Sequence, residues 1–242
     1  MPKQMMIYEK AAPISKERHR DWSVRIGDFG FAREISVVPL LAAEFAGAAR
    51  EYPIILSKSS GGYMPAALVG LRENENLFVT KLNRWHGRYI PAFIRRYPFL
   101  FMRMSKKDPD RFVLCIDESF SGCNTKGNGE ALFDRNGKET EYLKGALKFS
   151  GTYQREFAAT TAFCNRLTEL GILAPQRISY MSPDGKKRSI GGLMTVKKDF
   201  LNALPGKKLS ELAQSGDLEK IYTHLVSLGN LEVLASRLSI IH

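Results

Sequence analysis

Residues 83–99 have the sequence NRWHGRYIPAFIRRYPF, in which four arginines are interspersed with five aromatic rings. Two prolines, Pro91 and Pro98, restrict the backbone within the same stretch. No other segment of the chain combines cations and rings at this density. The stretch is therefore either packed against the core of the fold or built to bind a ligand.

The pairing of arginines with aromatic rings supports both interpretations. A guanidinium on a ring face gains about 0.5–1 kcal/mol when it is exposed, and it can still pair with a carboxylate or a phosphate. In the structural interpretation, Phe93, Tyr97 and Phe99 enter the core, and the arginines form ion pairs with acids of the chain. We favour this interpretation, because large aromatic side chains are highly buried on average.

The binding interpretation predicts a pocket for an anionic or aromatic ligand. Its candidate residues are the arginines and two rings of the stretch, with two acids that end a later strand: Arg84, Trp85, Arg88, Tyr89, Arg95, Arg96, Asp117 and Glu118. The two acids are adjacent, so on a strand they point to opposite faces and cannot form an acid/base pair with each other. For each acid we favour an ion pair with a nearby arginine over a catalytic role.

Length and composition are those of a folded protein with an unusual charge. The chain has 242 residues, of which 44% are hydrophobic and 25% charged, with a net charge of +11 and a pI near 9.6. This charge favours polyanions, acidic surfaces or an anionic membrane face as partners. The basic residues are spread along the chain, so we expect any binding to nucleic acid to be weak and insensitive to sequence.

Cysteine usage and hydropathy indicate where the protein resides. Cys115, Cys123 and Cys164 leave at least one thiol unpaired and argue against a disulfide framework, so a reducing compartment is the simpler expectation. The first ten residues lack the apolar run of a signal peptide. The most apolar later segment, 37–49, is interrupted by a proline and an acid and is too short to span a bilayer. The sequence thus predicts a soluble, cytoplasmic protein without a transmembrane segment.

Metal and nucleotide sites are not predicted. The four histidines and three cysteines include no pair at the spacing of a helical or hairpin metal site. The adjacent glycines at 61–62 and 191–192 lack the strand, turn and helix arrangement that cradles a phosphate. We therefore expect neither a metal nor a cofactor.

The first half of the chain is rich in predicted strands. Short apolar or alternating runs predict strands at residues 22–26, 52–57, 66–71, 77–80 and 112–116. A proline at the start of the apolar segment 37–50 can open a helix, so this segment is predicted to be helical.

The second half carries the longest helical pattern. Residues 140–170 place apolar side chains at spacings of three and four, and Gly171 is positioned to end the helix. Within residues 177–196, two strand-like segments flank a turn and predict a hairpin. The pattern of residues 209–238 predicts two or three short helices. We expect one domain over residues 1–242, with a possible lobe boundary in the glycine-rich polar loop near 121–130.

Short segments along the whole chain carry a family resemblance. They are FARE at 31–34, VPL at 38–40, EF at 44–45, YPI at 52–54, ENLFV at 75–79, the block at 85–99, LCIDE at 114–118, LFD at 132–134 and HLVSLGN at 224–230. In this order they resemble the bacterial SapC family, which is named for a surface-layer gene locus. The resemblance covers nearly the full length of the chain.

The resemblance implies a role linked to the crystalline surface layer of a bacterium or to its assembly, with other surface-layer or envelope proteins as partners. Members also occur in bacteria without such layers, which implies a broader accessory role. The resemblance brings no catalytic residues and no cofactor. Association with the cell surface is implied by it alone.

These observations lead to one expected fold and two functional hypotheses. The fold is α+β, a largely antiparallel sheet packed against one long helix and short C-terminal helices. The leading hypothesis is a non-enzymatic protein associated with a surface layer or its assembly. The alternative is a cytoplasmic enzyme or ligand-binding protein that uses the segment 84–96 on an anionic or aromatic ligand. We make no prediction of the oligomeric state.

Overall fold

The computed structural model describes residues 7–59, 61–105, 108–182 and 184–241. The strands are β1 (Ala11–Pro13), β2 (Ser23–Val24), β3 (Val37–Pro39), β4 (Ile54–Ser59), β5 (Gly62–Leu68), β6 (Phe99–Ser105), β7 (Asp108–Asp117), β8 (Cys123–Asn124), β9 (Glu130–Ala131), β10 (Leu173–Met181) and β11 (Lys187–Val196). The helices are α1 (Lys16–His19), α2 (Phe45–Ala48), α3 (Ala92–Arg95), α4 (Glu141–Glu169), α5 (Lys198–Asn202), α6 (Gly206–Gln214), α7 (Asp217–Ser227) and α8 (Asn230–Ile241). Short 3-10 helices lie at Gly30–Ala32 and Ala42–Glu44.

The largest sheet has the strand order β10-β11-β4-β5-β3, and all its neighbours pair antiparallel. In β4, Ile54, Ile55 and Leu56 are all buried. Successive side chains of a strand point to opposite faces, so this end of β4 is covered on both sides. The predictions of a strand at 52–57 and of a hairpin within 177–196 are confirmed.

Two three-stranded sheets complete the strand layer. One has the order β1-β7-β6 and contains the strand predicted at 112–116. The other has the order β8-β2-β9, so strands from the glycine-rich segment 121–130 pair with both edges of β2. Gly129 lies at φ +100°, and a Cβ there would come within 2.4 Å of the carbonyl oxygen of Val24. Glycine is thus required for this segment to approach β2.

Helix α4 is the long helix predicted at 140–170. Thr140 precedes it, and its hydroxyl accepts the backbone N–H of Leu143, which caps the first turn. Gly171 follows it at φ +65°, a conformation that glycine adopts without strain. The helix packs on β5 and β6, and its buried side chains include Leu143, Phe163 and Leu167.

The C-terminal helices cover another part of the large sheet. Helix α7 packs on β4 and β11, and its buried Asp217 forms ion pairs with Arg166 of α4 and with Lys220. Gly216, at φ +71°, begins α7, and Gly229 precedes α8. The prediction of two or three short helices within 209–238 is therefore confirmed.

The prediction of a helix at 37–50 is wrong. Val37–Pro39 forms β3, which pairs with β5 at the edge of the large sheet. Proline suits an edge strand because it has no N–H to donate. After β3, only the 3-10 turn Ala42–Glu44 and the single α-helical turn Phe45–Ala48 are helical.

Three predicted strands also need correction. The segment 77–80 is buried but forms only an isolated bridge, between Val79 and Trp85. The side chain of Asn76 accepts the backbone N–H of Phe78 at 2.9 Å, which turns the chain where a strand ladder would continue. The strand predicted at 66–71 lies earlier, at Gly62–Leu68, and the one predicted at 22–26 is limited to Ser23–Val24.

The fold class is α+β, as the sequence predicts, with antiparallel sheets, the long helix α4 and C-terminal helices. Within the described ranges, no helix has both the length and the apolar character needed to cross a membrane.

Candidate functional site

The segment 83–99 divides into a loop, the short helix α3 and the start of β6. Phe93, Tyr97 and Phe99 are buried, as the structural interpretation requires. Trp85 and Tyr89 are partly buried and pack against the core. The rings of this segment therefore anchor it to the fold, and the question of binding concerns its arginines.

Arg96 points inward from α3. Only 6% of its surface is exposed, and its guanidinium carbon lies 4.3 Å from the ring centroid of Tyr153, 4.8 Å from Phe93 and 5.6 Å from Tyr8. Desolvated cations on ring faces gain about 2 kcal/mol or more. Arg96 is thus a buried cation held among three rings.

Arg95 points outward from the same helix and is exposed. Its Nε donates to the carbonyl oxygen of Ile90 at 2.9 Å. Its guanidinium carbon lies 5.8 Å from the ring centroid of Tyr89 and 5.3 Å from that of Phe149. These contacts orient the side chain towards α4 and leave its outer N–H groups accessible.

A cavity of about 240 Å³ lies between α3 and α4, which we call the α3–α4 cavity. Its wall combines two cations with rings and a glycine: Arg95, Arg96, Phe99, Tyr142, Gly145 and Phe149. The exposed carboxylate of Glu141 lies at its margin and forms an ion pair with Lys144 at 2.7 Å. The cavity is therefore suited to a molecule with a negative end and an apolar body.

Gly145 lies in the wall of this cavity and is exposed. It lies in the second turn of α4, where glycine costs about 1 kcal/mol relative to alanine. A Cβ added at Gly145 would meet no heavy atom within 4 Å. Packing therefore does not require glycine at this position, and a larger side chain would project into free space.

Two hydroxyl groups in the wall of the α3–α4 cavity have no hydrogen-bond partner among the described residues. They are Oη of Tyr142 and Oγ of Ser150, and both oxygens are enclosed. Burial raises the pKa of the Tyr142 phenol, so it remains a neutral donor. An unsatisfied buried polar group costs about 1–3 kcal/mol, and a water or ligand atom that reached it would lower that cost.

A second cavity of about 450 Å³ is lined in part by Tyr89, and we call it the arginine cleft. Three arginines line it: Arg50 after α2, Arg88 in the loop and Arg237 in α8. A Cβ at Gly47 would come within 2.7 Å of the Tyr89 ring, so glycine there is required for packing. Arg88 and Tyr89 thus belong to a different cavity from Arg95 and Arg96.

Arg84 lines neither cavity. It is exposed and donates from Nη1 to the carbonyl oxygen of Gly27 at 3.2 Å. No described acid lies within 4.0 Å of the guanidinium of Arg84, Arg88 or Arg95. The ion pairs predicted for these three arginines are therefore wrong; backbone carbonyls hold Arg84 and Arg95, and rings also orient Arg95.

Asp117 also departs from the prediction of an arginine ion pair. Its carboxylate accepts the N–H groups of Glu9, Lys10 and Ser119 at 2.9–3.0 Å, the Ser119 hydroxyl at 2.6 Å and the Tyr97 phenol at 3.3 Å. Burial alone would raise its pKa, but these hydrogen bonds hold the pKa below its ordinary value. Asp117 is a buried structural carboxylate that fixes the N-terminal segment to the end of β7.

Glu118 forms the predicted ion pair. Its carboxylate binds Arg18, with Nη2 and Oε2 2.5 Å apart, and lies 3.6 Å from Nζ of Lys10. Nε2 of the buried His19 is 3.3 Å from Oε1 of the same carboxylate. Neither Asp117 nor Glu118 lines the α3–α4 cavity or the arginine cleft.

The described residues contain no group of three or more histidine, cysteine, aspartate or glutamate side chains arranged to hold a metal ion. The three cysteines are free thiols, and burial raises the pKa of Cys115 to about 11 and of Cys164 to about 12. Such thiols carry little thiolate and are poor nucleophiles near neutral pH.

Several residues of the two cavities were not predicted from the sequence. Tyr142, Gly145 and Phe149 come from α4, and Arg50 and Arg237 come from segments far from the central stretch. A glycine inside a strongly helical pattern was the available signal for the first group, since it lowers helix stability without marking an end. No local feature of the sequence marked Arg50 or Arg237 as residues of the arginine cleft.

Comparison with known proteins agrees with the segments distributed along the sequence. No curated protein and no solved structure matches the chain significantly. The model of the SapC family matches residues 14–234 of the 242-residue chain. This match includes α3, α4 and the whole wall of the α3–α4 cavity. The chain therefore belongs to the SapC family.

Proposed function

We propose that this protein is a non-enzymatic accessory protein that binds a small anionic molecule with a flat apolar body in the α3–α4 cavity. The observation that carries the proposal is Gly145, a glycine inside α4 that no packing contact requires and that leaves the cavity open. A position that lowers helix stability without a packing reason is expected where function needs the space.

The cations and rings of the wall support an anion of this shape. Arg95 can present its outer N–H groups to a carboxylate, a geometry that the planar guanidinium favours. Phe99 and Phe149 add apolar ring surface to the same wall, and the Phe149 ring centroid lies 5.3 Å from the guanidinium carbon of Arg95. The buried Arg96 adds a second positive charge to the wall. The predicted ligand is therefore an aromatic or similarly flat carboxylate.

The volume suits a ligand with a single ring. Apolar cavities of about 150 Å³ accept benzene, whereas sites for drug-sized molecules span about 300–1,000 Å³. A cavity of about 240 Å³ suits a molecule of the size of benzoate.

The groups of the wall favour binding over catalysis. Arginine cannot be deprotonated under ordinary conditions, and burial raises the pKa of Tyr142, so neither transfers a proton readily. Glu141 is exposed and paired with Lys144. This set orients and neutralises an anion without supplying a general base.

Membership of the SapC family suggests the setting of this binding. We propose a role at a bacterial surface layer or in its assembly, with envelope proteins as partners. We also propose that the chain is one domain, because the strands of segment 121–130 pair with β2 in the N-terminal part of the chain.

Titration with benzoate, followed by amide chemical shifts, tests the site. We expect saturable shifts at α3 and in the first turns of α4. Gly145→Leu should fill the cavity and abolish these shifts, while Arg95→Met should weaken binding at least tenfold.

Two matched controls isolate the cavity from effects on the fold. Gly151→Leu makes the same change in the same helix, where a Cβ would meet only ordinary contacts near 3.8 Å and no described cavity is lined. Arg103→Met removes an exposed arginine that lies over Phe112. Both should bind benzoate as the parent does. Equal binding by Gly145→Leu and the parent would refute the proposal.

A further inference from the structure

We infer that the arginine cleft is a second binding site, specific for the phosphoryl group of a small phosphomonoester. The inference does not depend on the function proposed for the α3–α4 cavity, because the two cavities share no lining residue. It rests on how the cations and the acid of the cleft are held.

Arg237 is fixed in the wall of the cleft. Its guanidinium carbon lies 4.2 Å from the ring centroid of Phe78, and its Nη1 donates to the carbonyl oxygen of His86 at 3.1 Å. These contacts use one face and one edge of the guanidinium. Its remaining N–H groups are the donors that planar guanidinium offers to an oxyanion.

Glu51 is the acid that lines the cleft, and its carboxylate is already occupied. Oε1 accepts the N–H of Arg88 at 2.8 Å, and Oε2 accepts the N–H of Tyr89 at 2.9 Å. A Cβ at Gly87 would lie 3.1 Å from Oε2 of Glu51, so the loop follows the carboxylate closely. Glu51 therefore holds the loop that carries Arg88 through backbone contacts.

The arginines of the cleft are not neutralised by the chain. Among the described acids, none lies within 4.0 Å of the guanidinium of Arg50, Arg88 or Arg237. Three cations thus share the cleft with one carboxylate, which accepts backbone N–H groups of the loop and forms no described ion pair with a guanidinium, so the cleft keeps an excess of positive charge. Each like-charged neighbour raises the electrostatic cost of the empty cleft, and an anion with more than one negative charge relieves that cost best.

A phosphoryl group meets these requirements better than a carboxylate does. It carries close to two negative charges at neutral pH and three acceptor oxygens, so it can receive several guanidinium N–H groups at once. The volume of about 450 Å³ leaves room for a small polar body beside the phosphoryl group. Asn230, Tyr89 and Glu51 also line the cleft and give its wall polar and aromatic surface.

Binding of glycerol 3-phosphate to the intact protein, measured by calorimetry in 150 mM salt, tests the inference. We expect a 1:1 complex, weaker binding of inorganic phosphate, and no binding of glycerol. Arg88→Gln should lower the affinity at least tenfold, and Arg237→Gln should do the same. Arg88 is exposed, so its replacement should leave the melting temperature unchanged and keep the test valid if Arg237→Gln is unstable.

Arg103→Gln is the matched control, because this exposed arginine lines neither cavity. It should bind glycerol 3-phosphate as the parent does. A short single-stranded oligonucleotide distinguishes a polyanion site from a phosphomonoester site, since its binding should be weak and should decline steeply with salt. Tight binding of the oligonucleotide without binding of glycerol 3-phosphate would overturn the inference, as would unchanged affinity in Arg88→Gln.

Discussion

The phenol of Tyr89 donates a hydrogen bond of 2.8 Å to Oε1 of Glu44, a carboxylate with only 6% of its surface exposed. The same oxygen accepts the N–H of Ala92 at 2.7 Å, and Oε2 accepts the N–H of Leu41 at 2.8 Å. One buried acid therefore joins the 3-10 turn, the loop 83–91 and the first turn of α3. The ring of Tyr89 that this bond orients lines the arginine cleft, and its centroid lies 5.8 Å from the guanidinium carbon of Arg95.

Replacement of Glu44 by alanine should destabilise the protein by about 3–5 kcal/mol. The change leaves three donors without their acceptor, two of them buried backbone N–H groups, and such losses are costly. Tyr89→Phe, which removes one of the three bonds, should cost about 1 kcal/mol. Urea denaturation measures both. Glu73→Ala removes an exposed acid and should change stability by less than about 0.5 kcal/mol; a comparable loss there would contradict the assignment to Glu44.

Replacement by methionine should affect the stability of the protein differently at the neighbouring Arg95 and Arg96. Arg96→Met removes a buried cation from three ring faces and should lower stability by about 3 kcal/mol. Arg95→Met affects an exposed side chain and should be neutral within about 0.5 kcal/mol. Thermal melts of the two variants at equal concentration make the comparison. If Arg95→Met proved the more damaging change, the inward and outward assignment of the two side chains would be wrong.

Asp117→Asn should reduce stability by about 3 kcal/mol at pH 7, because the carboxylate accepts several hydrogen bonds in its charged form. The folded protein holds the pKa of Asp117 below its ordinary value of 3.8. Its stabilising contribution is therefore present above pH 3.8 and is lost as the pH falls through the folded-state pKa. The difference in unfolding free energy between parent and variant should therefore be smaller at pH 3 than at pH 7. Asp21→Asn, an exposed control, should show no such pH dependence.

His224 should make the protein less stable in mild acid. Its Nε2 accepts the N–H of Val196 at 3.1 Å, and burial lowers its pKa from 6.5 to about 4. Between pH 6.5 and pH 4, His224 is protonated in the unfolded chain but neutral in the folded chain. The free energy of unfolding therefore decreases as the pH falls through this interval, by at most about 1.4 kcal/mol per pH unit. His224→Gln should flatten the curve of unfolding free energy over this interval. His86→Gln changes an exposed histidine and should leave the slope unchanged. An equal flattening in His86→Gln would show that His224 is not the source of the pH dependence.

The parts of the fold that the sequence predicted correctly are those with strong local signals. Helix α4 has an N-cap at Thr140, periodic apolar residues and a glycine at 171, and all three act within a few residues. The segment 37–50 failed because pairing of Val37–Pro39 with β5 is a long-range contact that overrides the helical signal of Pro39. The segment 77–80 failed because the side chain of Asn76 redirects the backbone.

The candidate site was only partly accessible to sequence reasoning, for a similar reason. The density of arginines and rings at 83–99 marked the correct region, but of the two arginines in the α3–α4 cavity Arg95 is exposed and Arg96 is buried, and Arg88 of the loop lines another cavity. Other residues that line the two cavities come from α4 and α8, at positions 142–149 and 237. Spacing along the sequence carries no information on such distant neighbours.

The environment of Trp85 gives the protein a built-in optical reporter. Its indole N–H donates to Oη of Tyr52 at 3.1 Å and to the carbonyl oxygen of Tyr89 at 3.2 Å, and its ring stacks 6.1 Å from Phe78, on which Arg237 lies. The other of the chain's two tryptophans, Trp22, lies edge-on to His19. Trp22→Phe would leave Trp85 as the single tryptophan, next to Tyr89 of the arginine cleft, so tryptophan fluorescence would follow occupancy of the cleft without any label.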